Sequence, residues 1–188
     1  GYLNTFFTIK DTEKRWTNLL EGHELYCSGH LIEAACTYYE ATGKRKLLDI
    51  AVKNAECIYD RFVMQNTEGI PGHPEIELAL LRLYRLTENK HFLELAQKFI
   101  NERGKAPDFW AREAKKRSWS VWNSDPWGND YRQSAKPVRE QTEAVGHAVR
   151  AVYLYTGMAD LAAETEDKEL FAACRRLWEN IVHRKMYI

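Results

Sequence analysis

The sequence carries no surplus of charge: lysine and arginine together number 27, aspartate and glutamate 27, across 188 residues. A protein that held nucleic acid mainly through its phosphates would need a basic excess, so that class of partner is disfavoured. No apolar run approaches the roughly 20 residues that cross a bilayer, and the opening residues show no signal-peptide pattern. No membrane partner is expected. Cysteine is scarce and unpatterned, since Cys27, Cys36, Cys57 and Cys174 form neither a CxxC motif nor a disulfide spacing. They read as free thiols, and Cys36, Cys57 and Cys174, set among apolar helical neighbours, as small buried hydrophobes. Reduced thiols make the cytoplasm the expected compartment.

What the sequence does have is a 45% hydrophobic share, enough at this length for about one domain with a real core. The apolar residues recur at helical spacing. Leu31, Ala34, Ala35, Tyr38 and Tyr39 mark one helix, Gly43 stops it, and Lys44-Arg45-Lys46 makes a basic turn. Leu47, Leu48, Ala51, Ala55 and Ile58 then mark a second helix. The hairpin returns twice, with its turns at Thr42, Thr87 and Thr165. Five and six residues after each threonine stand Leu47-Leu48, Phe92-Leu93 and Leu170-Phe171; nine after stand the small residues Ala51, Ala96 and Cys174. The first two threonines are 45 residues apart and the last two 78, and the excess of 33 matches a stretch from about 105 to 137 that breaks the pattern. A period near 45 means stacked helix pairs, none able to bury its apolar face alone. The fold class is therefore all-α, as helical hairpins in a short solenoid or in an arc of a closed α/α barrel. Residues 1–20 have no clear period.

Each long first helix of a pair has a Gly-His step near its start: Gly22-His23, Gly72-His73 and Gly146-His147. In a radial stack, equivalent positions point to one centre, so the three histidines are candidates for a common pocket. Pro74 suits the first turn of a helix, where the dipole keeps imidazole neutral. Neutral imidazole both donates and accepts hydrogen bonds, as sugar hydroxyls require. Helix caps or satisfied core histidines are the competing roles. Glu140, Glu143 and His147, at i, i+3 and i+7, are read as one helical face with Gln141 beside it, which makes Glu143 and Gln141 further substrate-binding candidates. Glu24, Glu75 and Glu77 follow the other two histidines. His23, Cys27 and His30 form a stripe of metal-ligating types without a recognisable fourth ligand, so packing is expected and no metal site. The insertion holds four of the six tryptophans, Trp110, Trp119, Trp122 and Trp127, plus Phe109 and Tyr131, with turn residues Pro126, Gly128 and Asn129. Such aromatics stack on the apolar faces of sugars at a barrel mouth or else pack on one another. Arg112 to Arg117, with Glu113 inside, reads as a solvated helix face.

Five strings carry a family resemblance: Lys14-Arg15-Trp16-Thr17-Asn18-Leu19, Glu21-Gly22-His23-Glu24-Leu25-Tyr26, Gly29-His30-Leu31-Ile32-Glu33-Ala34-Ala35, the run from Gly72 to Leu80, and the run from Pro137 to Ala151. They resemble family-127 glycoside hydrolases, the β-L-arabinofuranosidases, over nearly the whole chain. The resemblance implies an (α/α)6-barrel catalytic domain followed by β-sandwich domains. It implies a retaining exo-hydrolase that releases L-arabinofuranose from β-linked oligosaccharides or glycoconjugates. In that family a zinc-bound cysteine is the nucleophile, a glutamate the acid/base, and three pocket histidines touch the sugar. By motif the three map onto His23, His73 and His147.

The family's Glu-x-Cys and paired-cysteine zinc ligands, and its acid/base glutamate, have no match in these residues and are expected downstream of Ile188. The chain is thus read as residues 1–188 of a longer barrel domain, supplying one wall of the pocket, with neither a catalytic residue nor a zinc ligand of its own. A homodimer is open for the full-length enzyme. The alternatives are a non-enzymatic helical-repeat binding module and another α/α-barrel sugar enzyme, such as an unsaturated-glucuronyl hydrolase or an epimerase.

Overall fold

The computed structural model describes residues 1–123, 125 and 127–186, and the regular elements among them are all helical. They are α1 (Thr5–Lys10), α2 (Glu24–Thr42), α3 (Lys46–Tyr59), α4 (Ile76–Thr87), α5 (Lys90–Glu102), α6 (Phe109–Lys116), α7 (Gly128–Tyr131), α8 (Ala148–Thr165) and α9 (Lys168–Arg184). Short 3-10 turns stand at Thr12–Lys14 and Val138–Glu140, and a π-turn at Asp60–Met64 prolongs α3. No helix among the described residues is long and apolar enough to cross a membrane.

Three hairpins, α2–α3, α4–α5 and α8–α9, make the body. α4 packs on both α2 and α8, so the first helices form one layer, while α3, α5 and α9 back them. Central α4 buries Ile76, Glu77, Ala79, Leu80, Leu81 and Leu83, as a helix flanked on several sides must. On α3 the expected stripe is the buried one, with Leu48, Ala51, Ala55 and Ile58 inside. On α2 it is displaced. The buried residues are Glu24, Leu25, Gly29, Ile32, Ala35 and Cys36, whereas Ala34 and Tyr38 are exposed. α2 meets α3 and α4 at once, so two neighbours, not one, choose its stripe.

The turn repeat has a physical basis. Thr42, Thr87 and Thr165 each donate the side-chain hydroxyl to the carbonyl four residues back, at 2.6, 2.7 and 2.7 Å. The next residue, Gly43, Glu88 or Glu166, is left-handed at φ 69°, 56° or 53° and ends the helix through its own N–H. Asn89 and Asp167 then cap the return helices. Ala51 and Ala96, nine residues past the threonines, are fully buried.

The insertion between α5 and α8 is mostly irregular, with α6 and α7 inside it, and folds back on the start of the chain. Trp110 is buried and donates Nε1–H to Ser134 Oγ at 3.0 Å; Trp119 donates to Thr17 Oγ1 at 3.0 Å and packs on Phe7. Glu113 accepts the Leu19 N–H at 2.6 Å, and burial pushes its carboxyl up to about 7. Arg117 pairs with buried Glu21 at 3.1 Å. The expected solvated face holds for Arg112, which pairs with Glu68 and Asp108, but Glu113 and Arg117 are structural ties. Pro126, placed in the turn around Trp127, lies outside the described residues.

Candidate functional site

His23, His73 and His147 meet at one end of the first-helix layer, just ahead of α2, α4 and α8. The ring centroids are 6.0 Å apart for His23 and His73, and 5.8 Å for His73 and His147. Backbone groups fix each ring. His23, left-handed at φ 53°, donates Nδ1–H to the Glu21 carbonyl at 2.7 Å. His73 donates Nδ1–H to the Pro74 carbonyl at 2.7 Å. His147 is the N-cap of α8, and its Nδ1 accepts the Arg150 backbone N–H at 3.3 Å. The tautomers follow from these partners. In their neutral forms His23 and His73 offer Nε2 as an acceptor, whereas His147 offers Nε2–H as a donor. Burial, with Arg150 adding to it, lowers His73 to about 4, so that ring is neutral at physiological pH.

Other rings complete the wall. Tyr26 lies against His73 at 4.4 Å and His30 at 4.5 Å, and Tyr153 sits 6.0 Å from His73. From the insertion, Trp122 meets His23 at 6.4 Å, Trp127 meets Trp122 at 5.5 Å and stacks on Tyr131 at 5.2 Å, and Tyr131 meets His147 at 5.3 Å. His23, His73, His147, Tyr131, Trp127 and Trp122 therefore close a circuit of six rings. Within the insertion, Trp110 and Trp119 anchor the loop, while Trp122 borders His23 and Trp127 packs on Trp122 and Tyr131.

The acidic neighbours divide. Glu24 accepts from Tyr2 and from the Trp16 N–H at 3.0 Å, tying the N-terminal segment to α2, with burial raising it to about 7. Glu77 is buried against Arg103 at 3.3 Å. Glu75 is buried 3.6 Å from His30 Nδ1, and its Oε2 finds no partner among the described residues. Burial first, then the negative charges of Glu33 and Glu77, push it up to about 9, so it is a neutral acid at pH 7. Residue 29 must be glycine for it to fit: a Cβ there would stand 1.5 Å from Glu75 Oε2.

Glu143 and Gln141 are not brought to the imidazoles. Residues 141–147 are not helical, because Gly146 at φ 80° lies against the Asp130 backbone and α8 begins only at Ala148. The expected i, i+3, i+7 face therefore does not exist. Glu143 pairs with Lys185 beside a 570 Å³ recess shared with Arg176, Asn180 and His183. Gln141 spends its amide N–H groups on the carbonyls of Gln133 and Lys136, both at 3.0 Å. Pro74 also precedes its helix, since α4 starts at Ile76. The His23, Cys27, His30 stripe forms no metal cage: no group of three histidine, cysteine, aspartate or glutamate side chains among the described residues is arranged to hold an ion. The sequence missed Tyr26, Tyr153 and Arg150. All three are inward positions on α2 and α8, and Tyr26 and Arg150 lie three residues after Gly-His histidines, a spacing that was there to be read.

The family model for the β-L-arabinofuranosidase GH127 catalytic domain matches residues 1–188. The chain belongs to the GH127 family. Over its full length it is 40% identical to the non-reducing end β-L-arabinofuranosidase of Bifidobacterium longum subsp. longum, of which it covers 30%. It is also similar to the crystal structure of a GH127 β-L-arabinofuranosidase from Geobacillus stearothermophilus, with TM-score 0.88 and 50% identity over 100% of this chain and 30% of that one. A further GH127 β-arabinofuranosidase structure aligns at TM-score 0.79 and 40% identity, over 96% of this chain and 27% of that chain. The GH127 chain thus spans under a third of the length of these relatives, and its hairpins are those of their α/α toroid.

Proposed function

We propose that residues 1–188 are part of a longer β-L-arabinofuranosidase and form one wall of the pocket that holds the terminal L-arabinofuranose. The observation that carries this reading is the closed circuit of six rings with two imidazole acceptors and one imidazole donor. A furanose presents hydroxyls that need both kinds of partner and C–H faces that pack on aromatic rings. The similar proteins are named as β-L-arabinofuranosidases, and the reading extends their activity to this chain: exo-hydrolysis, with retention, of β-linked oligosaccharides or glycoconjugates.

The zinc that the resemblance implies finds no fitting ligand set among the described residues. The exposed Cys27 thiol is pushed up by desolvation and by Glu75 and Glu24, the opposite of what a metal-bound thiolate needs. We place zinc, nucleophile and proton donor on the rest of the polypeptide. This chain's own residues bind and orient: His73 accepts from a hydroxyl at any physiological pH, His147 donates, and Trp122, Trp127 and Tyr131 exclude water from one side.

The test is steady-state kinetics of the complete enzyme on a chromogenic β-L-arabinofuranoside. His23→Ala, His73→Ala and His147→Ala should each lower kcat/KM by roughly tenfold or more, the loss of one to two hydrogen bonds. Unchanged kinetics in all three would sink the reading.

A further inference from the structure

We propose that Arg150 is the counter-charge for a carboxylate that reaches this wall from the part of the enzyme outside residues 1–188. The proposal rests on the sugar-wall reading above. Arg150 is the third residue of α8, is 4% exposed, and lies with its guanidinium 4.9 Å over the Tyr131 ring. Its Nε and Nη1 are buried without a hydrogen-bond partner among the described residues, and no carboxylate pairs with it there. Arg103 and Arg132, both fully buried, also leave Nε unpartnered, but each has a carboxylate partner. Arg103 donates to the carbonyls of Arg132 and Pro71 and pairs with Glu77. Arg132 donates to the Gly128 carbonyl and pairs with Asp125.

A guanidinium stays protonated even here: burial, with Arg132 and Arg103 nearby, brings it down only to about 10. Its position in the first turn of α8 adds the unfavourable end of the helix dipole. The Tyr131 face offsets part of this, because a cation is attracted to a ring quadrupole, but it leaves the N–H donors unused. A buried cation without an anion is among the costliest arrangements in a protein.

The missing anion has a defined chemistry. Nε–H and Nη1–H leave the guanidinium on different edges, so each offers one charge-assisted hydrogen bond to a carboxylate oxygen. Among the described residues no acid pairs with it: the charge of Asp125 reaches Arg150, but its carboxylate, like that of Glu77, is bound by another arginine, and Glu75 is neutral and turned to His30. The terminal L-arabinofuranose has no charge to offer. Glycoside hydrolysis, however, needs carboxyl groups at the sugar, and the relatives extend far beyond the matched region. Arg150 is thus a positioning residue: it holds an incoming carboxylate ionised and oriented beside His73 and His147.

The experiment uses the complete enzyme. A crystal structure should show a protein carboxylate within hydrogen-bonding distance of Arg150 Nε or Nη; only water or backbone carbonyls there would overturn the proposal. On a neutral chromogenic β-L-arabinofuranoside, Arg150→Met should lower kcat on the order of a hundredfold with KM changed only a few-fold. Arg150→Lys should recover part of the loss, and added guanidinium ion should rescue Arg150→Met, which a merely unfolded variant would not allow. Full activity of Arg150→Met on the neutral substrate, with loss confined to a carboxylate-bearing aglycone, would show that the anion belongs to the substrate and defeat the proposal. A wild-type enzyme inert toward β-L-arabinofuranosides would defeat the functional reading instead, and the Arg150 pair would still be decided by the crystal structure.

Discussion

Glu75 shows how burial sets chemistry at a single residue. A carboxyl that ionises near 4.5 when free and near 9 when folded binds a proton in the native state that the unfolded state has lost. Its contribution is full below the unfolded value and is lost as pH rises through the folded one. Glu24 and Glu113, both raised to about 7, act in the same sense at lower pH, so the interval from pH 7 to 9 belongs mainly to Glu75. His73 acts oppositely, costing stability as pH falls below 6.5 toward 4. Glu75→Gln, which keeps the shape and cannot ionise, should flatten the fall in Tm between pH 7 and 9; for one proton that slope is up to about 1.4 kcal/mol per pH unit. Thermal melts at several pH values check this, and a variant with the wild-type slope would refute it. The three clustered histidines were legible because glycine marks each of them locally. Glu75 was visible as a residue but not as an acid held neutral, since its environment comes from Gly29 and Glu33 on α2 and Glu77 on α4.

At the scale of elements, the hairpin repeat is a repeat of one helix ending. Threonine back-bonds into the last turn and the following residue goes left-handed. Glycine fills that place without strain after α2, where a Cβ would meet nothing within 4 Å, whereas Glu88 and Glu166 fill it with a side chain that disfavours the conformation. Glu166→Gly should therefore stabilise the protein by roughly 0.5 to 1 kcal/mol, about 1–4 °C in Tm at this size. Gly43→Ala should destabilise it by a similar amount. Calorimetry on both variants decides, and equal Tm values would mean that the turn is not strained. The helices themselves were legible from period and stop signals, since these are local. The segment 141–147 was not: Glu140, Glu143 and His147 keep helical spacing, yet Gly146, left-handed and close against the Asp130 backbone, keeps the chain out of a helix. Only the tertiary fold of the insertion sets that contact.

For the whole molecule, a period near 45 residues with one 33-residue excess already described three hairpins and an insertion. It did not describe how the insertion returns to residues 17–21 and lends Trp122 and Trp127 to the histidine wall, because that pairing spans about a hundred positions and leaves no periodic trace. The same division decides what residues 1–188 do when expressed alone. They bring three imidazoles together, yet Cys27, Cys36 and Cys174 are unsuited to metal or nucleophilic work: burial pushes Cys36 and Cys174 up to about 11, and Cys27 is raised as well. A zinc site needs deprotonated sulfur or several imidazole lone pairs converging with a supporting set of hydrogen bonds. His147 presents an N–H, not a lone pair, toward its neighbours, and the described residues offer no group of three ligands arranged for an ion. Hydrolysis further needs a nucleophile and a proton donor at the sugar; Glu75 is an acid, but it is sealed behind Gly29 and His30. The expected outcome for the purified, dialysed chain is less than a tenth of an equivalent of zinc by elemental analysis and no turnover of a chromogenic β-L-arabinofuranoside above background. About one zinc per chain, or activity that survives repurification, would place the catalytic centre inside these residues and overturn the division of labour argued for them.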